Sequence, residues 1–259
     1  MPQPHCRKPR LGAVVLFTLL AACTTVPITG RSQLNLLDPS TEAQLGDQAF
    51  AEVEQKSPIS HDPAANAMVE RVGRRLAAAS GLKENWQFIV IAEPKVNAFA
   101  LPGGKVAVYA GMLPVAQNDA GLATVLAHEI GHVMAHHSAE RISRSELVEA
   151  GTNLASGVLG GGNPQSQQLL GALLGAGATF GLELPFSRQQ EYEADHIGLD
   201  LMARAGYDPR DAIAFWRRMM AQAQSGAVPE LLSDHPSDQN RIAELERLLP
   251  EAMQNYRPA

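Results

Sequence analysis

Apolar residues recur along this chain with two periods, and the switches between them mark its elements. Met68, Val69, Val72 and Leu76 share one face of a 3.6-residue repeat; Asp62-Pro63 precedes them and Gly81 follows, so a helix capped by aspartate, entered through proline and closed at glycine is predicted. Ser40, with Glu42 and Gln44 close behind, opens an earlier helix to about Gln55. Trp86 to Ile91 has the aromatic and β-branched character of a strand, and Asn97–Leu101, Pro102-Gly103-Gly104 and Lys105–Tyr109 read as strand, turn, strand. Leu122, Val125, Leu126 and Ile130 then return to the helical period behind Asp119, an acidic N-cap candidate.

Three further helices close the pattern. Ser187 caps one from about Arg188 to Ala205, with Gln190 as its capping-box partner and Gly206 as its stop. Asp208-Pro209 starts another through Met219 and Met220, carrying Phe215 and Trp216, and a last helix follows Ser237 with Ile242, Leu245, Leu248 and Leu249 on its apolar side. The predicted fold is α+β and mostly helical, with a small sheet.

The ends change this picture. Arg7, Lys8 and Arg10 precede an uncharged apolar run from Leu11 to Ala22, too short for a typical spanning helix, so residues 1–22 are expected to be a secretory signal. Leu20-Ala21-Ala22-Cys23 resembles the bacterial lipobox, which implies that Cys23 is acylated as the new N-terminus; an exported protein with an incidental cysteine is the alternative. Thr24, rather than aspartate, follows it, which by the same resemblance favours the outer over the inner membrane. Residues 24–38, polar with Pro27 and Gly30, are expected to tether the lipid to the body, and 40–259 to form one catalytic domain. Cys6 leaves with the signal, so no disulfide is expected.

Without Arg7, Lys8 and Arg10 the chain keeps 18 Lys+Arg against 27 Asp+Glu, a net charge near −9. That balance, without basic patches interleaved with aromatics, argues against a nucleic-acid partner. Residues 150–182 carry no charge and are rich in glycine. Three readings fit them: small-residue core helices, a lid hinged at Gly161-Gly162-Asn163-Pro164, or a membrane-contacting loop.

Chemistry enters at His128-Glu129-Ile130-Gly131-His132. Positions i and i+4 share a helical face, so two imidazoles can grip one cation while Glu129 stands beside them as a base for water. A catalytic zinc needs a third protein ligand, and the helix beginning near Ser187 offers Glu191 or Glu193, which lie on different faces. His136 lies about 12 Å along the helix axis from His128, and His137, His196 and His61 point elsewhere, so none is assigned to metal. The strand Asn97, Ala98, Phe99, Ala100 is either a sheet edge for an extended peptide or simply a core hairpin.

Val96 to Gly104, His128 to His132, Glu191-Tyr192-Glu193-Ala194-Asp195, and His235-Pro236-Ser237 through Arg241 occur in the order found in M48 peptidases, which this chain resembles over most of its length. The resemblance is to periplasmic lipoprotein-type members related to mitochondrial quality-control peptidases, with no repeat domain expected. It implies a zincin-like domain with one Zn²⁺ per chain held by His128, His132 and Glu191. Asp195, one turn beyond Glu191, is suited to accept a ligand histidine's other N–H. Glu129 is implied as the base, with Arg241 in the same segment as His235. By the same likeness His235 lies near the metal, where it stabilises the oxyanion or fills the open coordination position; an inert loop histidine is the alternative. The implied function is zinc-dependent hydrolysis of unfolded or misassembled envelope proteins. A chaperone-like assembly factor with an inhibited site is the alternative, and further protein partners stay open.

Overall fold

The computed structural model describes residues 23–147, 187–224, 229–235 and 240–258. The expected signal, the uncharged stretch 150–182 and Ser237 lie outside them. Within them the chain runs β1 (Cys23–Thr25), β2 (Ser32–Leu34), α1 (Pro39–Lys56), α2 (Pro63–Ser80), β3 (Gln87–Ile91), β4 (Ala98–Leu101), β5 (Lys105–Tyr109), α3 (Met112–Ala116), α4 (Asp119–Met134), α5 (Arg188–Arg204), α6 (Arg210–Gln224), α7 (Glu230–Asp234) and α8 (Arg241–Asn255). The fold is α+β and mostly helical.

Local chemistry sets the boundaries. Asp38, rather than Ser40, opens α1, its carboxylate accepting from the N–H groups of Ser40 and Thr41. Asp62 and Pro63 begin α2, and Gly81 ends it in the left-handed region at φ 76°. Asn118, not Asp119, caps α4 by accepting from Gly121 N–H, leaving Asp119 to favour the first turn's dipole. Ser187 and Gln190 form the expected capping box of α5.

The sheet runs β3-β5-β4, with β5 parallel to β3 and antiparallel to β4. Central β5 is buried on both faces: Val106 and Val108 join the main core with Val72, Leu76, Leu126 and Ile130, while Ala107 and Tyr109 join Val53, Ile91 and Phe99 in a second cluster. The sheet thus lies between α2 and α4 on one side and α1 on the other.

Helix α4 is the axis, with every residue from Gly121 to Met134 buried. Its most extensive partner is α5, which also packs on α8. Two glycines permit the close crossing: a Cβ on Gly131 would meet Ala194 O at 2.9 Å, and one on Gly198 would meet His128 N at 3.2 Å.

The expected tether is instead a packed hairpin. β1 and β2 pair antiparallel, Val26 is buried in the main core, Gln33 Nε2 donates to Ala135 O at 2.8 Å, and Leu36 N–H donates to Ser143 Oγ at 2.8 Å. A segment that appears polar in sequence is here fastened by polar groups facing inward.

Candidate metal centre

One turn of α4 places His128 and His132 on the same side, and α5 crosses there with Glu191 and Asp195 one turn apart. His235 arrives from the end of α7, and Arg241 from the first turn of α8. All six side chains, with Glu129, are buried. His128, His132, Glu191 and His235 form one donor cluster, with a ligand atom from each lying within 4.8 Å of the others.

The spacings inside that cluster fit a small cation. His128 Nε2 is 3.1 Å from His132 Nε2 and 3.3 Å from Glu191 Oε2, and His132 Nε2 is 3.5 Å from Glu191 Oε1. His235 Nδ1 is 3.2 Å from His128 Nε2 and 3.1 Å from Glu191 Oε1. A tetrahedral ion with bonds of about 2.0–2.1 Å sets its ligands about 3.3–3.4 Å apart. Glu191 Oε2 and Glu129 Oε1 are buried without a hydrogen bond among the described residues, a condition that a cation relieves.

Around this cluster, His128 Nδ1 lies 3.0 Å from Asp195 Oδ1, and Arg241 clamps Asp195 through Nε and Nη2 at 2.8 and 2.7 Å. The guanidinium in turn lies 3.3 Å above the Trp216 ring, so an aromatic face covers a buried cation. Burial lowers the pKa of His128, but the hydrogen bond it makes to Asp195 and the facing Glu191 carboxylate more than reverse this and raise it to about 9. Burial depresses His132 well below the ordinary imidazole value. Burial also raises Glu129, against the opposing pull of His235 and His128.

Glu193, the rival third ligand, turns away to His137 at 3.0 Å and Arg31 at 2.6 Å. His137 is corrected too: its Nδ1 lies 2.9 Å from His132 Nδ1. Extending α4 as one continuous helix sends that ring elsewhere, but the helix stops at Ala135, His136 takes φ 53°, and a new helical segment over 137–147 brings His137 back. His136 instead meets Glu42 at 2.8 Å, His196 meets Glu251 at 3.4 Å, and His61 is exposed.

The expected substrate strand divides between its side chains and its backbone. Ala98 and Phe99 are buried in the two cores, and Asn97 donates to Asp234 Oδ2 at 2.8 Å, tying the strand to the segment that carries His235. These side chains are structural. Tyr109 N–H donates to Asn97 O, so alternation turns the main-chain groups of Ala98 and Ala100 away from β5. The N–H of Ala98 bonds Asn97 Oδ1, and that of Ala100 bonds the Glu129 carboxylate. Strand β4 is therefore one edge of the sheet, running beside the Glu129 carboxylate.

An α+β domain whose central helix carries His-Glu-x-x-His, completed by a carboxylate from a crossing helix, is a zincin-like metallopeptidase. Residues 63–249 match Peptidase family M48. The chain is 41% identical over 248 residues to the mitochondrial metalloendopeptidase OMA1 of Schizosaccharomyces pombe, covering 93% of this chain and 70% of that protein. It is 33% identical over 227 residues to the beta-barrel assembly-enhancing protease of Escherichia coli K12, covering 85% of this chain and 46% of that protein. It is 34% identical over 240 residues to the bovine OMA1 metalloendopeptidase, covering 88% and 46%. The chain thus belongs to peptidase family M48 and carries that family's metalloendopeptidase domain. It spans about half the length of the bovine and bacterial relatives. Among the described residues no helix is long and apolar enough to cross a membrane.

Proposed function

We propose that this chain is a zinc-dependent endopeptidase, lipid-anchored at Cys23 on the periplasmic face of a bacterial outer membrane, that hydrolyses unfolded or misassembled envelope proteins. The observation that carries the reading is the set of nitrogen and oxygen donors from His128, His132 and Glu191 at 3.1–3.5 Å spacing, with Glu129 alongside. Zinc held there supplies Lewis acidity for the scissile carbonyl and activates a water. Glu129 takes the water's proton and passes it to the leaving amine, and its burial, which raises its pKa, strengthens it as that base. Asp195 fixes the tautomer of His128.

The substrate class rests on the edge of β4. The outward carbonyls of Ala98 and Ala100, whose N–H groups are held by Asn97 and Glu129, face the side where an extended backbone would lie, and an unfolded chain offers such backbone most readily. The beta-barrel assembly-enhancing protease among the relatives supports an envelope setting, and the leader with Leu-Ala-Ala-Cys supports export and anchoring. Nucleic acid has no place in this reading.

His235 favours a second reading of the resting protein. Its Nδ1 takes the fourth corner of the donor set, and its Nε2 is 3.3 Å from Glu129 Oε1. A closed four-ligand set lacks the open position that catalysis requires. His235 therefore withdraws when substrate binds, or the protein acts mainly as an assembly factor with its site held shut. Purified protein with zinc is expected to degrade unfolded casein, Glu129→Gln to keep its metal while losing about 10²–10⁴ in rate, and His235→Ala to cut faster than wild type. Full cellular function in Glu129→Gln would transfer the main role from cutting to binding.

A further inference from the structure

The two histidines of the catalytic turn are supported very differently. Behind His128 stands one carboxylate, Asp195, clamped by Arg241. Behind His132 stands another imidazole: His132 Nδ1 is 2.9 Å from His137 Nδ1, His137 Nε2 is 3.0 Å from Glu193 Oε2, and Glu193 Oε1 accepts from Arg31 Nε at 2.6 Å. Arg31 also grips Glu140 with Nη1 and Nη2, both at 2.7 Å. His137 and Glu140 are fully buried and Glu193 nearly so.

Proton placement makes this chain directional. A ring that offers Nε2 to a cation carries its proton on Nδ1, so His132 donates to His137 Nδ1. His137 must then hold its own proton on Nε2 and donate it onward, which requires an acceptor there. Glu193 is that acceptor, and Arg31 keeps its carboxylate fixed and charged in a buried place. The other tautomer of His137 would set one N–H against another.

We propose that Arg31 is a positioning residue for the metal ligand His132, acting through Glu193 and His137, so that the N-terminal hairpin is part of the metal centre. This inference rests on the zinc-peptidase reading above. The hairpin is already fastened without Arg31, by Gln33 on Ala135, Leu36 on Ser143 and the buried Val26. The guanidinium instead reaches two carboxylates, Glu193 within the relay and Glu140 beside it.

The test uses the full chain and measures zinc affinity by competition with a chromophoric chelator, together with the visible spectrum of the cobalt-substituted protein. Arg31→Ala and Glu193→Gln are each expected to weaken zinc about tenfold or more, within the 10–100-fold range of outer-sphere changes, and to shift the cobalt bands. The double variant should be no weaker than the weaker single, because the two act in series. Arg31→Lys should recover part of the affinity. Gln33→Ala, which removes the hairpin's bond to Ala135 and takes from the relay only the long 3.5 Å contact of Arg31 Nη2 with Gln33 Oε1, should lower the melting temperature yet keep zinc within about twofold of wild type. Arg31→Ala binding zinc as tightly as wild type, or losing no more than Gln33→Ala, overturns the inference alone. Wild type failing to bind zinc overturns both it and the peptidase reading.

Discussion

His128 and His132 sit four residues apart on one helix, yet the first is supported by two residues and the second by a line of three. Asp195 and Arg241 lie in the C-terminal part of the chain, on α5 and α8, and close beneath Trp216. Arg31 comes from the other end, 162 residues from Glu193 and 109 from Glu140. The short arm is a fixed support inside the core. The long arm makes the centre answerable to a hairpin that begins at Cys23.

The comparison predicts unequal damage. Arg241→Ala leaves the buried Asp195 without its cation and removes the cover on Trp216, and is expected to cost about 3–5 kcal/mol in denaturant unfolding. Arg31→Ala should cost distinctly less, since Glu193 keeps His137 and Glu140 keeps Arg144 and Gln190. Equal losses would erase the distinction between the arms.

Gly131→Ala strikes both arms together. Its methyl would lie 2.9 Å from the Ala194 carbonyl oxygen, on backbone that cannot swing aside. Parting α4 from α5 is expected to cost about 1–3 kcal/mol and to weaken zinc by carrying Glu191 and Asp195 away from both rings. A variant that loses stability but keeps full metal affinity would show that the crossing sets packing alone.

The smallest effect separates the arms by pH. Burial pushes the carboxyls of Glu140 and Glu193 up, but Arg31 with Gln190 for the former, and His137 with Arg31 for the latter, outweigh it and hold both below the usual range. Groups with depressed folded-state values add stability that is complete above the unfolded value of about 4.3 and is lost as pH falls through the folded value. The melting-temperature gap between wild type and Arg31→Ala should therefore be widest at pH 6–7 and narrow below about pH 4. A gap that stays constant into acid would remove the ion pairs from the hairpin's contribution.

Much of this was legible before any coordinates. Asp62-Pro63, Ser187 with Gln190, and Gly81 act within a few residues of themselves, so the ends of α2 and α5 follow from local hydrogen bonding. Asn118 displaced Asp119 as a cap because both are able acceptors and only backbone direction decides between them. His137 was misplaced because a periodic pattern continues a helix until something stops it, and the turn at His136 leaves no such signal. The hairpin escaped notice because Arg31 and Gln33 read as solvent-facing in any local window, and partners more than a hundred residues away are invisible there.

What the sequence alone determined is the set of relations carried by one helix at a time. His128 and His132 share a face with Glu129 beside them, and Glu191 lies one turn from Asp195, because a 3.6-residue period sets those directions wherever the helices go. Only the tertiary structure decided which of Glu191 and Glu193 meets the histidines, that His235 takes the fourth corner, and that Arg31 belongs to the centre at all. Such choices depend on how separate elements cross and pack, and the residues that govern them touch nothing near themselves in the chain.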